Sequence, residues 1–208
     1  MQPVRAADTE RTFIETARRA QIVDAAIDTI AELGYARASL GRIAERIGIS
    51  RGLISYHFAG KDKLITEIVR LVVAEGIAYM QPRILAQPTA AGMLSAYIES
   101  NLAYMREHPN RMLAIVEIAR DGVTADGRRP VHAHPDVERA VQELANLLAS
   151  FQAADEMRAD FDPHAVAIAI RAAIDAAPSR LRSDPEFDID GYAREIAGVF
   201  DSATRIAG

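Results

Sequence analysis

The chain has 208 residues, half of them hydrophobic, with no cysteine, no tryptophan and a net charge of −5 at neutral pH. That length suits one or two domains with a buried core. The missing cysteines exclude disulfides, thiolate metal sites and thiol redox chemistry. No apolar run approaches the ~18 residues of a membrane span and no leader pattern opens the chain, so a cytoplasmic protein is expected.

Residues 1–14 are polar, carry Pro3, Arg5 and Arg11, and show no periodicity, as a flexible arm would. Ile22, Val23, Ala26, Ile27, Ile30 and Leu33 then repeat at a 3.6-residue period, which predicts a helix with one buried face, ended by Gly34. Ser39 and Ser50 each precede a helix-sized run and are suited to cap it. Between them Leu40, Ile43, Ala44 and Ile47 fall at i, i+3, i+4 and i+7. Gly48 follows the last periodic position, where a left-handed residue ends a helix without steric penalty. The pattern is a helix-turn-helix.

The second helix of that motif, about Arg51 to Phe58, is too short to stand alone and must pack through Leu53, Ile54 and Phe58. Its other face presents Arg51, Gly52, Ser55, Tyr56 and His57. Such a set suits DNA: Arg51 can bond a guanine edge with two hydrogens, Ser55 and His57 can reach base edges or phosphates, and Tyr56 can lie on sugar and donate to phosphate. Gly52 lets the backbone come close. Ser39, Arg42 and Ser50 complete the candidate set, and Lys61, at the start of the next helix, is placed to hold a phosphate.

An acidic protein is not an obvious nucleic-acid binder, but the charge is segregated. Residues 1–70 hold eleven Lys and Arg against nine Asp and Glu, a net of +2, which leaves −7 on the other 138. Arg37, Arg42, Arg46, Arg51, Lys61 and Lys63 crowd into 27 residues, so one face can be positive even though non-specific binding is modest.

Gly34-Tyr35, Ser39-Leu40, Ile43-Ala44, Gly48-Ile49-Ser50, Gly52-Leu53-Ile54, Tyr56-His57-Phe58 and Lys61-Asp62-Lys63-Leu64 together resemble the amino-terminal domain of the TetR family over about residues 15–65. The resemblance implies three helices and the start of a fourth, binding a palindromic double-stranded operator as a homodimer, with release by a ligand held in a carboxy-terminal domain. By position it assigns Ser50, Arg51, Gly52, Ser55, Tyr56 and His57 to the operator and Lys61 to phosphate. Many members carry tyrosine two residues after Leu53, where this chain has Ser55 followed by Tyr56, and both stand as candidates for the main phosphate contact.

Beyond residue 65 the pattern is helical throughout: Leu64 to about Met80, Thr89–Glu107, Asn110 to about Gly122, His134 to about Glu156, Asp162–Ala177 and Asp188 to about Ile206, with prolines at the proposed ends. One long loop is expected, Val123–Ala133. The predicted fold is all-α, with an arm over 1–14, a helix-turn-helix domain over 15–63 and an effector-binding and dimerisation domain over 64–208 sharing the helix from Lys61 to Met80 as a lever. The last two helices are alanine-rich and apolar on more than one side, which points to an isologous dimer through Ile170, Ile174, Ala177, Tyr192, Ile196, Val199 and Phe200. The TetR resemblance implies the same pair in a four-helix interface.

The middle helices carry Met80, Tyr97, Asn101, Tyr104, Met105, Met112, Ile115, Val116 and Phe151, which with Ile170 are the candidate pocket for a small apolar effector; Glu117 and Arg120 are expected at solvated positions. No cofactor is expected. His132 and His134, with His108 and His164, lack the i, i+4 placement that aims two imidazoles at one metal, and no catalytic glycine, serine or H-E-x-x-H motif occurs. The expectation is a regulator and not an enzyme. A helical enzyme or small-molecule carrier with a merely structural helix-turn-helix is the alternative.

Overall fold

The computed structural model describes residues 6–122, 127, 135–184 and 186–206, and among them every regular element is a helix. In chain order these are α1 Ala6–Leu33, α2 Leu40–Arg46, α3 Arg51–His57, α4 Lys61–Leu85, α5 Ala90–Glu107, α6 Pro109–Asp121, α7 Pro135–Ala153, α8 Pro163–Asp175, α9 Ala177–Ser183 and α10 Ile189–Thr204.

The amino-terminal unit forms as its apolar spacing requires. Ile22, Ile27 and Ile30 of α1, Ile43 of α2, Ile54 of α3 and Leu64 of α4 are all at or below 1% exposed and close one small core. Burying each such side chain contributes about 1.5–3 kcal/mol, enough to hold two seven-residue helices that have no independent stability. Gly34 ends α1 at φ +81 and Gly48 ends α2 at φ +66, the left-handed region where a Cβ is penalised.

α4 then runs unbroken through the expected domain boundary at residue 64 and packs on α1, α5, α6 and α7; α6 lies along α1, α10 along α5, and α8 along α7. A single cluster of buried residues extends from Ile22 to Ala197, so the two halves share a core.

Several boundaries differ from the sequence expectation. Residues 6–14, expected as part of a flexible arm, continue α1 as helix, and their polar sequence has no apolar stripe to announce it. Arg5, the Val123–Ala133 loop apart from Gly127, and His132 and His134 lie outside the described residues. Pro82 sits inside the last turn of α4, which continues to Leu85. The helix expected over Asp162–Ala177 stops at Asp175, and a separate helix, α9, begins at Ala177 with Pro178 in its first turn. Proline lacks the N–H that would bond Ile174 and its ring collides with that carbonyl, so the chain must change direction. α7 ends at Ala153, and Glu156 beyond it accepts a bond from the Ala90 N–H at 3.1 Å.

The expected dimer residues divide. Ile170, Ile174 and Ala177 are 0% exposed within the single chain and cannot be an outer face. Tyr192, Ile196 and Phe200 are half-buried against the core, with the Tyr192 hydroxyl donating to the Ala173 carbonyl at 2.7 Å. Val199, 61% exposed, does face outward, next to Gly198, Ser202 and Ala203; on α8 the outward stripe is Ala165, Ile168, Ala169, Ala172 and Ala176. With apolar residues all around α8, sequence alone could not say which side is the core.

Candidate nucleic-acid interface and internal cavity

The α2–α3 corner is built from its caps. The Ser39 hydroxyl accepts the Arg42 N–H at 3.2 Å and the Ser50 hydroxyl accepts the Leu53 N–H at 3.1 Å. Between them the Ile49 N–H returns to the Ala44 carbonyl at 3.0 Å and sets the angle between the helices. Both serine oxygens are thus engaged in starting helices. α3 is pinned by Ile54 below, and by Arg19 of α1, which lies 4.4 Å over the Phe58 ring and donates to the His57 carbonyl. A cation at a helix C-terminus meets the negative end of the dipole.

The opposite face of α3 is open. Arg51, Gly52 and Ser55 are exposed, and Tyr56 is 72% exposed, the most exposed large hydrophobic side chain among the described residues. His57 is half-buried, its ring edge-on to Tyr56 at 5.1 Å, and its Nδ1 is buried without a hydrogen-bond partner. Arg42 is exposed beside this face and reaches Glu45 at 3.4 Å in a weak solvated pair. Lys61 departs from the sequence expectation: its ammonium donates to the Tyr35 carbonyl at 2.6 Å and lies 3.9 Å over the Tyr35 ring. Burial holds it below the ordinary lysine value, with Asp62 opposing. The charge is turned inward because an aromatic face and a loop carbonyl lie within its reach. It secures the α1–α2 loop.

The second feature is a partly open cavity of about 820 Å³ lined by residues of α4 to α9. Eight of the expected residues line it: Met80, Tyr97, Asn101, Tyr104, Met105, Met112, Ile115 and Val116. Phe151 and Ile170 do not; they are 7% and 0% exposed, packed behind the wall. The walls are chiefly apolar, with Val72, Leu144 and Leu147 among residues that the sequence did not single out.

Three polar groups punctuate the cavity. Tyr104 donates to Glu75 at 3.1 Å, and Glu75 also takes two bonds from Arg111, one of them 3.0 Å, while Arg111 reaches Asp24 at 3.3 Å. This network ties α1, α4, α5 and α6 together. Burial and then Glu75 push the Tyr104 phenol well above the usual tyrosine range, and the Arg111 hydrogen bond holds the Glu75 carboxyl below that of an ordinary glutamate. Arg171 of α8 donates to Asn101 Oδ1 at 3.1 Å, to the Tyr97 hydroxyl at 3.4 Å and to Asp175 at 2.6 Å. Burial alone would lower its pKa, but Tyr97 and Asp175 outweigh it and raise it. The guanidinium stays charged.

The third group corrects the expectation of a solvated Glu117. That residue is 6% exposed and accepts from Arg120 at 2.8 Å and from Arg182 of α9. Both arginines line the large cavity and also a second one, of about 450 Å³, against the C-terminus of α1. The Glu117 carboxylate stands where a Cβ on Gly34 would approach it to 3.1 Å. One buried carboxylate therefore touches the end of α1 while its partners face the cavity. Neither Arg171 nor Arg182 carries a sequence pattern that marks it, because the kink at Pro178 is what turns α9.

Among the described residues no helix is long and apolar enough to cross a membrane, and no three metal-ligating side chains converge.

Residues 22–68 match the family described as bacterial regulatory proteins, tetR family. The regulator BetI 1 of Chromohalobacter salexigens is 43% identical over 56 residues, 27% of this chain and 28% of that protein, so the likeness spans less than a third of the curated relative. Over most of the fold, the transcriptional regulator FadR of Bacillus subtilis, solved with stearoyl-CoA, superposes with a TM-score of 0.78 at 20% identity over 88% of this chain and 97% of that one. The regulator AibR, solved with isovaleryl coenzyme A and operator DNA, does so at 0.71 and 16% identity, over 88% and 97%. The helix-turn-helix over residues 22–68, with its register of caps, glycines and core isoleucines, is thus the part of the chain that matches the tetR family of bacterial regulatory proteins, and the fold of the described residues is the one these solved regulators share.

Proposed function

We propose that the protein is a cytoplasmic, ligand-responsive transcriptional regulator, a repressor that binds a palindromic operator as a homodimer and releases it when a small molecule fills the cavity. The observation that carries this reading is the division of labour within α3: Ile54 is wholly buried and fixes the helix, while Arg51, Ser55 and Tyr56 stand free on the opposite side. A helix held that way offers donors and a flat ring to a major groove. Solved relatives of this fold that hold acyl-CoA ligands, one of them with operator DNA, support the same division between a DNA-binding end and a ligand-binding end.

Residues 15–63 then act as the DNA-binding domain and 64–208 as the effector and dimerisation domain. The outward stripes of α8 and α10, small residues around Ile168 and Val199, suit close packing against their twins. Dimerisation sets two α3 helices on successive major grooves, about 34–36 Å apart. Coupling runs along α4 and through Glu117: a ligand that shifts Arg120 or Arg182 shifts the carboxylate seated against Gly34, and with it the end of α1.

The test is a mobility shift with the promoter beside the protein's own coding sequence, at stated salt. Arg51→Ala and Tyr56→Ala should each lose about tenfold or more in specific affinity while helix content and dimer mass stay unchanged. Unchanged affinity in both variants refutes the assignment of α3.

A further inference from the structure

We infer that the large cavity is built for an acidic amphiphile, a molecule with a free carboxylate seated on Arg171 and an apolar body running between the methionines of α5 and α6 and the leucines of α7. This rests on the reading of the cavity as the effector site and narrows its ligand from simply apolar to anionic at one end.

The inference starts from what a guanidinium requires. It has five N–H donors in a flat fork and no acceptor. In Arg171, Nη1 is directed to Asn101 Oδ1 at 3.1 Å and the Tyr97 hydroxyl at 3.4 Å, and Nη2 gives one hydrogen to Asp175 at 2.6 Å. The Nε hydrogen and the second Nη2 hydrogen have no acceptor among the described residues, and Arg171 is part of the cavity wall. Nε and Nη2 form one side of the fork, the side that matches the two oxygens of a carboxylate.

The surroundings make that vacancy expensive for a purely structural role. The Arg171 side chain is only 20% exposed, and its ion-pair partner, Asp175, is 55% exposed and screened by water. Tyr97 and Asn101, 8% and 7% exposed, are neutral and hold the guanidinium in place without cancelling its charge. An apolar residue of similar volume would serve packing better than a buried cation with a half-solvated partner. By contrast Arg120 and Arg182 already share the buried Glu117 carboxylate. The rest of the wall is apolar: Met105, Met112 and Ile115 on one side, Leu144 and Leu147 on the other. Methionines adapt to chains of differing shape.

The experiment is isothermal titration of the full-length protein, without DNA, with decanoate, 1-decanol and decanoyl-CoA. A ten-carbon body is small against about 820 Å³. Decanoate should bind at least tenfold more tightly than decanol, Arg171→Gln should remove that tenfold while leaving decanol unchanged, and Arg171→Lys should restore part of it. Equal binding of acid and alcohol, tighter binding of the thioester than of the free acid, or no decanoate binding at all overturns the inference. The wild-type comparison of acid with alcohol decides it even where an Arg171 variant fails to fold. Since DNA is absent, loss of operator binding would fail the regulator reading and leave this result standing, and the converse holds equally.

Discussion

The three-helix unit and the cavity half are made of much the same apolar residues, yet one fills its interior and the other leaves about 820 Å³ empty. In the first, Ile22, Ile27, Ile30, Ile43, Ile54 and Leu64 from α1 to α4 meet at the centre, each at most 1% exposed. In the second, longer helices, tied to one another by Tyr104, Glu75 and Arg111, line a space that their side chains do not fill. A tight core maximises contact and fixes one geometry. An open one gives up that contact and gains room for a ligand.

The contrast is tested most directly by truncation. Ile54→Ala should destabilise the protein by about 2–5 kcal/mol, because a wholly buried side chain loses all its neighbours, whereas Met112→Ala, on the cavity wall, should lose about 1 kcal/mol. Urea unfolding of the two variants measures the difference. Equal losses would mean that the second region is as tightly packed as the first.

Next in size is Gly34→Ala, at the meeting point of the two regions. Its φ of +81 and the Glu117 oxygen at 3.1 Å from a Cβ both oppose the substitution, and about 1–2 kcal/mol should be lost. The loss should be smaller when measured in a Glu117→Ala background if the side-chain contact contributes; strictly additive effects would assign it all to the backbone.

Smaller still is the pair Ser50→Ala and Ser55→Ala. Ser50 holds the Leu53 N–H and should lose about 1 kcal/mol on substitution, while exposed Ser55 should change stability negligibly. Thermal melts separate them, and a matching loss at Ser55 would show it to be structural and not free for a partner.

The last test is acid. Because the Arg111 hydrogen bond lowers the Glu75 carboxyl in the folded state, its stabilisation is complete above the ordinary glutamate value of about 4.3 and disappears as pH falls through the lowered one. Wild type and Glu75→Gln should therefore differ in stability at pH 6 and converge toward pH 3. A difference that persists at pH 3 would mean that the ion pair is not its source.

Reading these regions from sequence succeeds unequally for a physical reason. The caps at Ser39 and Ser50, the left-handed Gly34 and Gly48 and the stripe from Ile22 to Ile30 are local signals, each decided within a few residues. Eight residues of the cavity wall were also legible, since Met and Tyr at helical spacing on the middle helices do face the interior. Phe151 and Ile170 were misplaced because periodicity tells which face is buried and not whether it meets a side chain or a void. Arg171, Arg182 and the buried role of Glu117 were invisible, since a lone arginine or glutamate in a helix usually belongs to a solvated face.

What the sequence by itself determined is the helical alphabet, the helix-turn-helix with its exposed Arg51, Gly52, Ser55 and Tyr56, and the resemblance of that segment to the tetR family. Those follow from short-range sterics, caps and a 3.6-residue period. Only the tertiary structure decided that Lys61 turns inward onto Tyr35, that Ile174 and Ala177 are core while Ile168 and Val199 face out, and that Glu117 joins the cavity arginines to the end of α1. Each of these depends on which helix lies opposite. That is set by packing between segments distant in the chain, as with the separations of 26 residues between Tyr35 and Lys61 and 65 between Glu117 and Arg182, where sequence spacing carries no phase.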